Sequence, residues 1–329
     1  MARLGRYWTA IAIPLLLIAL VLPTRLDMVP EGVERTAGPP YLAAAALVYL
    51  FAHVLRAARF SLIAARIVPL RMRTMGMLYF NAAPVSLLVP FKLGELYRLQ
   101  QLVMLAGNIV RPLLILLLEK AFDAFVLLVA LAILVGTGTL PSALYPLSFM
   151  LLLLLAAGVA TLTVLRPALG SIQQYIVEVH FSSRSLKVLR FLDFMRHSTE
   201  IAKACIKGNL GSVLCLSVMI WMLEALTLSL IVPAMTGGTT LLAVSSLSLS
   251  LTPGSGLPGA SSDLVLTYGV IATASLLFVW PFATLAYLQQ VTQPDWRPLR
   301  PVVLDTPPVR LAAFAEPRSL RLHVARKSL

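Results

Sequence analysis

Charge is scarce in this chain, and cysteine scarcer still. Only 12% of its 329 residues are Asp, Glu, Lys or Arg, against about 25% in ordinary soluble domains, while 59% are hydrophobic. That excludes a globule with a solvated surface and makes lipid the solvent. The two cysteines, Cys205 and Cys215, supply neither a disulfide framework nor a zinc pattern and read as packing residues. The four histidines, His53, His180, His197 and His323, form no metal-ligand or nucleophile-activating arrangement. No cofactor, metal or catalytic residue is therefore expected, and the chain reads as a protein that is not an enzyme. Acids are the scarcer sign of charge, 14 against 27 bases, for a net +13. The bases lie where membrane topology puts them rather than where a nucleic acid would need them, so no nucleic-acid partner is expected.

What the chain has is apolar length. Crossing the hydrocarbon core takes about 20 mostly apolar residues, and six runs meet or approach that: 8–23, 41–60, 110–135, 144–165, 210–233 and 264–288. The first follows Arg3 and Arg6 and lacks small-residue cleavage geometry after it, so it reads as a retained span rather than a signal peptide. The loop 24–40 mixes Arg25 and Arg35 with Asp27, Glu31 and Glu34, whereas Arg56, Arg59, Arg66, Arg71 and Arg73 cluster without an acid at and after the second span. Positive charge marks the cytoplasmic side. The connector 166–208 and the tail from residue 290 each carry seven bases against three acids. Both termini are accordingly expected in the cytoplasm of a cell whose inner membrane holds the protein. Residues 1–289 read as one transmembrane domain with an amphipathic cytoplasmic connector at 166–208, and 290–329 as a basic, Pro-rich tail expected to be disordered.

Two apolar segments are too short or too broken to count as spans. Residues 75–90 are interrupted by Asn81 and Pro84; residues 239–258 are Ser-rich and run into the turn Pro253, Gly254, Gly256, Pro258 and Gly259. Both read as re-entrant, which lipid tolerates only where protein or a wet cavity satisfies the backbone. The expected fold is thus all-α and polytopic, with six full spans and two re-entrant or broken segments. The order span, span, broken segment, span then occurs twice, which is compatible with an inverted repeat and a substrate site near the midplane. The alternative is that Pro and Gly simply kink ordinary spans.

The remaining charges are few and concentrated. Lys92, Glu95 and Arg98 recur every three residues on a helix expected to start after Pro90, where Gly94 allows close approach of another backbone or a headgroup. Such a face can neutralise a phosphate through Lys92 and Arg98, with Glu95 orienting Arg98; equally, its charges can snorkel from an interfacial helix to water. Glu119 and Asp123 lie four apart inside an apolar run, and like charges at that spacing repel. They need cations, for which Lys120, Lys92, Arg98, Arg56 and Arg59 are candidates. Either they line a polar cavity or they lock helices together. In the second half Glu224 lies mid-span, Asp263 follows the Gly/Pro-rich turn, and the N–H groups of that turn, around Gly256 and Gly259, can cradle a phosphate.

Taken in order, Asn81, Pro90, Lys92, Gly94, Glu95 and Arg98, then Glu119, Lys120 and Asp123, then Pro253, Gly254, Gly256 and Gly259 resemble the transmembrane region of lysylphosphatidylglycerol synthases. Lys120 stands where that pattern more usually has arginine, and Trp280-Pro281 where it often has a base. The resemblance implies a membrane protein similar to the flippase part of those synthases, which moves an aminoacylated phospholipid between leaflets. The 40 residues after 289 are too few and too Pro-rich for an aminoacyl-transferase domain, so a stand-alone member is expected and the synthase reaction is not carried over. The implied headgroup site comprises Asn81, Lys92, Gly94, Glu95, Arg98, Glu119, Asp123, Gly256 and Gly259, with Arg56, Arg59, Lys120, Glu224 and Asp263 in support. Its expected partners are membrane lipids with phosphate headgroups, and a homo-oligomer or a membrane partner is compatible. The alternatives are a membrane-embedded transferase acting on a lipid-linked substrate and a non-transporting accessory subunit.

Overall fold

The computed structural model describes residues 39–65, 67–68, 71–88, 93–136, 145–163, 170–176, 183–206, 208–236 and 262–292, with positions 12, 14–16 and 19 of the first apolar run. Every regular element among them is a helix. In chain order these are α1 (Pro39–Ala64), α2 (Met72–Leu88), α3 (Leu93–Ala106), α4 (Val110–Gly136), α5 (Tyr145–Thr163), α6 (Ser183–Ile206), α7 (Leu210–Thr236) and α8 (Ser262–Thr292). Segments Pro40–Ala64, Leu210–Ile231 and Thr267–Gln290, on α1, α7 and α8, are long and apolar enough to cross a membrane. The predicted runs at 110–135 and 144–165 are also helices, α4 with Arg111, Glu119, Lys120 and Asp123 in its first half. The second broken segment with Gly256 and Gly259, the link with Pro90 and Lys92, and the tail after 292 lie outside the described residues.

Helix α1 is central: it packs along α7 and also touches α2, α4 and α8. Its inner face, Tyr49, Ala52, His53, Ala57, Phe60, Ile63 and Ala64, recurs at helical spacing and is buried. The alanines among these let neighbouring backbones come close, the usual device where lipid offers no hydrophobic drive to helix pairing. Its outer face, Leu47, Phe51 and Val54, is equally apolar but exposed. Helix α8 shows the same in Phe278, Phe282 and Leu285. A helix apolar on both faces is a helix in lipid. Cys215 lies exposed on α7, so the packing role expected for it does not hold.

One expectation needs correction. The segment 75–90 is not interrupted at Asn81 and Pro84, because α2 runs unbroken through both to Leu88. Proline removes one donor from the helix ladder, which buried neighbours can tolerate, and Pro84 is itself buried. Helix α3 starts at Leu93 and packs against α2. Gly94 makes this hairpin possible, since a Cβ there would overlap the backbone of Ser86. Helix α3 ends at Gly107, whose positive φ of 71° suits glycine at a helix C-terminus. Asn108 then caps α4, its side-chain oxygen accepting from the Arg111 N–H at 3.1 Å.

Candidate functional site

The acids of α4 find their cations on two other helices. Arg59 of α1, fully buried, meets Asp123 as a fork, Nη1 to Oδ1 at 2.6 Å and Nη2 to Oδ2 at 3.1 Å. The same guanidinium lies 3.5 Å from Glu119 Oε1 and donates to Ser217 Oγ of α7 at 2.9 Å. Arg98 of α3 also reaches Glu119, Nη2 lying 2.8 Å from Oε2 and Nη1 donating to Oε1 at 3.4 Å, and it holds Glu95 Oε2 at 2.7 Å. Glu95 passes its other oxygen to Lys120 Nζ at 2.8 Å. The Arg98 guanidinium also sits over Phe60 and Tyr79, 5.2 and 5.7 Å from the ring centroids, where the π faces favour a cation.

A second cluster hangs on Arg56, one helical turn before Arg59. Its Nη2 lies 2.7 Å from Glu224 Oε1 on α7, and Tyr268 of α8 donates to the other oxygen of that carboxylate. Arg56 Nη1 is 3.2 Å from His53 Nε2. Arginine only donates, so Nε2 accepts, and the ring proton sits on Nδ1, facing Tyr79 Oη at 3.0 Å. The Glu119 Oε2 and Glu224 Oε1 contacts are ion pairs by distance but out of line for hydrogen bonds. Their attraction is that of close opposite charges, which needs no alignment.

Four cations (Arg56, Arg59, Arg98, Lys120) thus face four carboxylates (Glu95, Glu119, Asp123, Glu224), and the network is neutral. Side-chain exposure is graded along it. Arg59 is at 0%, Glu119 at 4% and Arg98 at 6%, but Glu95 is at 24% and Lys120 at 48%. Lys120 shares its face of α4 with Leu113 and Leu117, both exposed, and Leu96 beside Glu95 is exposed as well. The network therefore surfaces among leucines.

The structure brings together Glu95, Arg98, Glu119, Lys120, Asp123, Arg56, Arg59 and Glu224. Asn81 and Gly94 make contacts outside this ionic network. Asn81, fully buried, donates to Tyr97 Oη at 3.0 Å and accepts from Thr284 Oγ1 at 2.8 Å and Trp280 Nε1 at 3.3 Å, tying α2 to α3 and α8. Gly94 touches Ser86, so its close approach is to a backbone. Trp280, in the position where the family often has a base, serves Asn81. Lys92, Gly256 and Gly259 lie outside the described residues, as does the side chain of Asp263. His53, Tyr79, Ser217 and Tyr268 were not picked out as site residues by sequence, being uncharged single residues on apolar faces.

The family model described as lysylphosphatidylglycerol synthase TM region matches residues 7–282, a stretch that includes every member of the network. No curated protein and no solved structure matches the chain. With most of its length matched in this way, the chain belongs to the lysylphosphatidylglycerol synthase TM region family.

Proposed function

We propose that this membrane protein binds a phosphate-bearing lipid and carries its headgroup between leaflets, a transport function without bond-making chemistry. Membership of a family concerned with membrane-lipid modification or transport supports the broad assignment. The observation that carries the finer one is the Glu95–Lys120 pair, where a buried ionic network comes to the surface beside exposed Leu96, Leu113 and Leu117. An amphiphile has this chemistry, with a charged head next to acyl chains. A phosphate can take the place of Glu95, bridging Lys120 Nζ and Arg98 Nη2 as that carboxylate does. Arg98 does not become a bare buried charge in the exchange, because Glu119 still holds it. We place the protein in a cell inner membrane with both termini cytoplasmic, on the distribution of Lys and Arg.

The test is reconstitution of the purified chain in liposomes with a fluorescent phospholipid, scored by quencher-accessible signal over time. Arg98→Ala is expected to lower the translocation rate at least tenfold while Arg98→Lys, which keeps the charge but loses the fork, gives an intermediate rate. A correctly folded Arg98→Ala protein that moves lipid at the wild-type rate would overturn the assignment.

A further inference from the structure

Glu95, Arg98 and Gln101 follow one another at three-residue spacing along one face of α3, and their exposure falls in that order. Glu95 is partly exposed, Arg98 is at 5% and Gln101 at 1%. Gln101 is anomalous, since among the described residues neither its amide nitrogen nor its amide oxygen has a hydrogen-bond partner. A buried amide without partners is costly and rare in folded proteins. The adjoining turn shares the condition: among the described residues Arg98 Nε has no hydrogen-bond partner, and neither has Arg59 Nε. Two acceptors, Glu119 Oε2 and Gln101 Oε1, are also without a hydrogen bond among the described residues, but Glu119 Oε2 is ion-paired with Arg98 Nη2, and the N–H groups of Arg59 Nε, Arg98 Nε and the Gln101 amide nitrogen outnumber these two acceptors. Residues three apart on a helix are neighbours, with Cβ atoms about 5–6 Å apart, which puts the Gln101 amide and the Arg98 Nε–H within reach of one small ligand.

We propose that Gln101 and the Nε–H of Arg98 form the inner end of the headgroup site and together bind an oxygen of a phosphate oxyanion. The inference rests on the lipid-phosphate reading above and adds a direction to it. The phosphate displaces Glu95 at the exposed end, is held by Arg98, and reaches Gln101 at the buried end. A neutral amide suits that last position, because it offers two donors without disturbing the balance of four cations and four carboxylates.

The experiment measures melting temperatures of the full-length chain in detergent, alone and with phosphatidylglycerol, diacylglycerol or inorganic phosphate. The variants are Gln101→Leu and, as a flexible substitute, Gln101→Met. Without ligand both are expected to melt about 2–4 °C above wild type, since they delete an unpartnered polar group. Phosphatidylglycerol is expected to stabilise wild type and diacylglycerol to leave it unchanged, and both variants are expected to bind the phospholipid at least tenfold more weakly. Variants that keep the full wild-type shift would overturn the inference and leave the amide as a hydrated group, with the lipid-phosphate reading intact. Loss of folding in both variants would also overturn it, because the amide would then be needed without ligand. A wild type that responds to neither phosphate source would sink the underlying reading itself. Stabilisation by inorganic phosphate but not by phosphatidylglycerol would support the oxyanion site and overturn lipid as its source.

Discussion

At the scale of single residues, Gly94 shows how little space separates the two arms of the α2–α3 hairpin. A Cβ at this position meets the α-carbon and amide nitrogen of Ser86 as well as its hydroxyl, and the backbone atoms cannot swing aside. Gly94→Ala must therefore push α3 off α2, and overpacking of this kind costs about 1–3 kcal/mol or more. The expected outcome is a lower melting temperature together with a weaker response to phospholipid, since Glu95 and Arg98 ride on the displaced turn; unchanged stability would show the hairpin to be looser than described. The sequence made the close approach legible but not its object, because a glycine beside charge reads equally as room for a headgroup. Asn81 carries the same ambiguity. A polar residue at membrane depth must satisfy its hydrogen bonds, and nothing local distinguishes a ligand from Tyr97, Trp280 and Thr284. Gln101 continues the spacing of Glu95 and Arg98, yet carries no charge to draw notice.

At the scale of helices, the need of Glu119 and Asp123 for cations could be read from their spacing on α4, whereas the choice among five candidate bases could not. Arg59 and Asp123 are 64 positions apart, and only the packing of α1 against α4 makes them neighbours. The α1–α7 pairing offers a test of what such pairs contribute. Arg56→Leu leaves Glu224, whose side chain is 1% exposed, without its cation and with the Tyr268 hydroxyl as its remaining donor among the described residues, and breaking a buried pair from one side costs about 3–5 kcal/mol. Glu224→Leu strands Arg56, which is 22% exposed and keeps His53 as an acceptor, so its cost is expected to be smaller. The double variant is expected to recover more than half of the Arg56→Leu loss in a thermal-melt cycle. Additive losses would mean that the two groups do not interact.

At the scale of the whole molecule, hydropathy fixed the helices well: five of the six predicted spans coincide with α1, α4, α5, α7 and α8 to within a few residues. It could not say which side of each helix faces lipid, because both sides are apolar. Phe51 and Arg59 lie on the same helix, one exposed and one at zero exposure. Phe51→Arg should therefore be far worse tolerated than the native arginine eight positions on. Its cost is expected near the roughly 2.5–3.5 kcal/mol that a central arginine costs on insertion scales. A membrane-integration assay reads that difference directly, and equal insertion of the variant and wild type would place Phe51 away from lipid.

The contacts of Asn81 and of Glu119 have a mechanical side. Asn81 rivets α2, α3 and α8 together, so a shift of α3 drags two other helices with it. Glu119 is gripped by two arginines, Arg98 on that riveted plate and Arg59 on α1, while Asp123 gives Arg59 a second, two-toothed hold. Sliding the plate past α4 would open the Arg98 catch first and leave the Arg59 catch closed. On the lipid-carrying function proposed above, the same carboxylate would serve as both fixed pivot and releasable latch, and the headgroup would wait on the side where the latch opens.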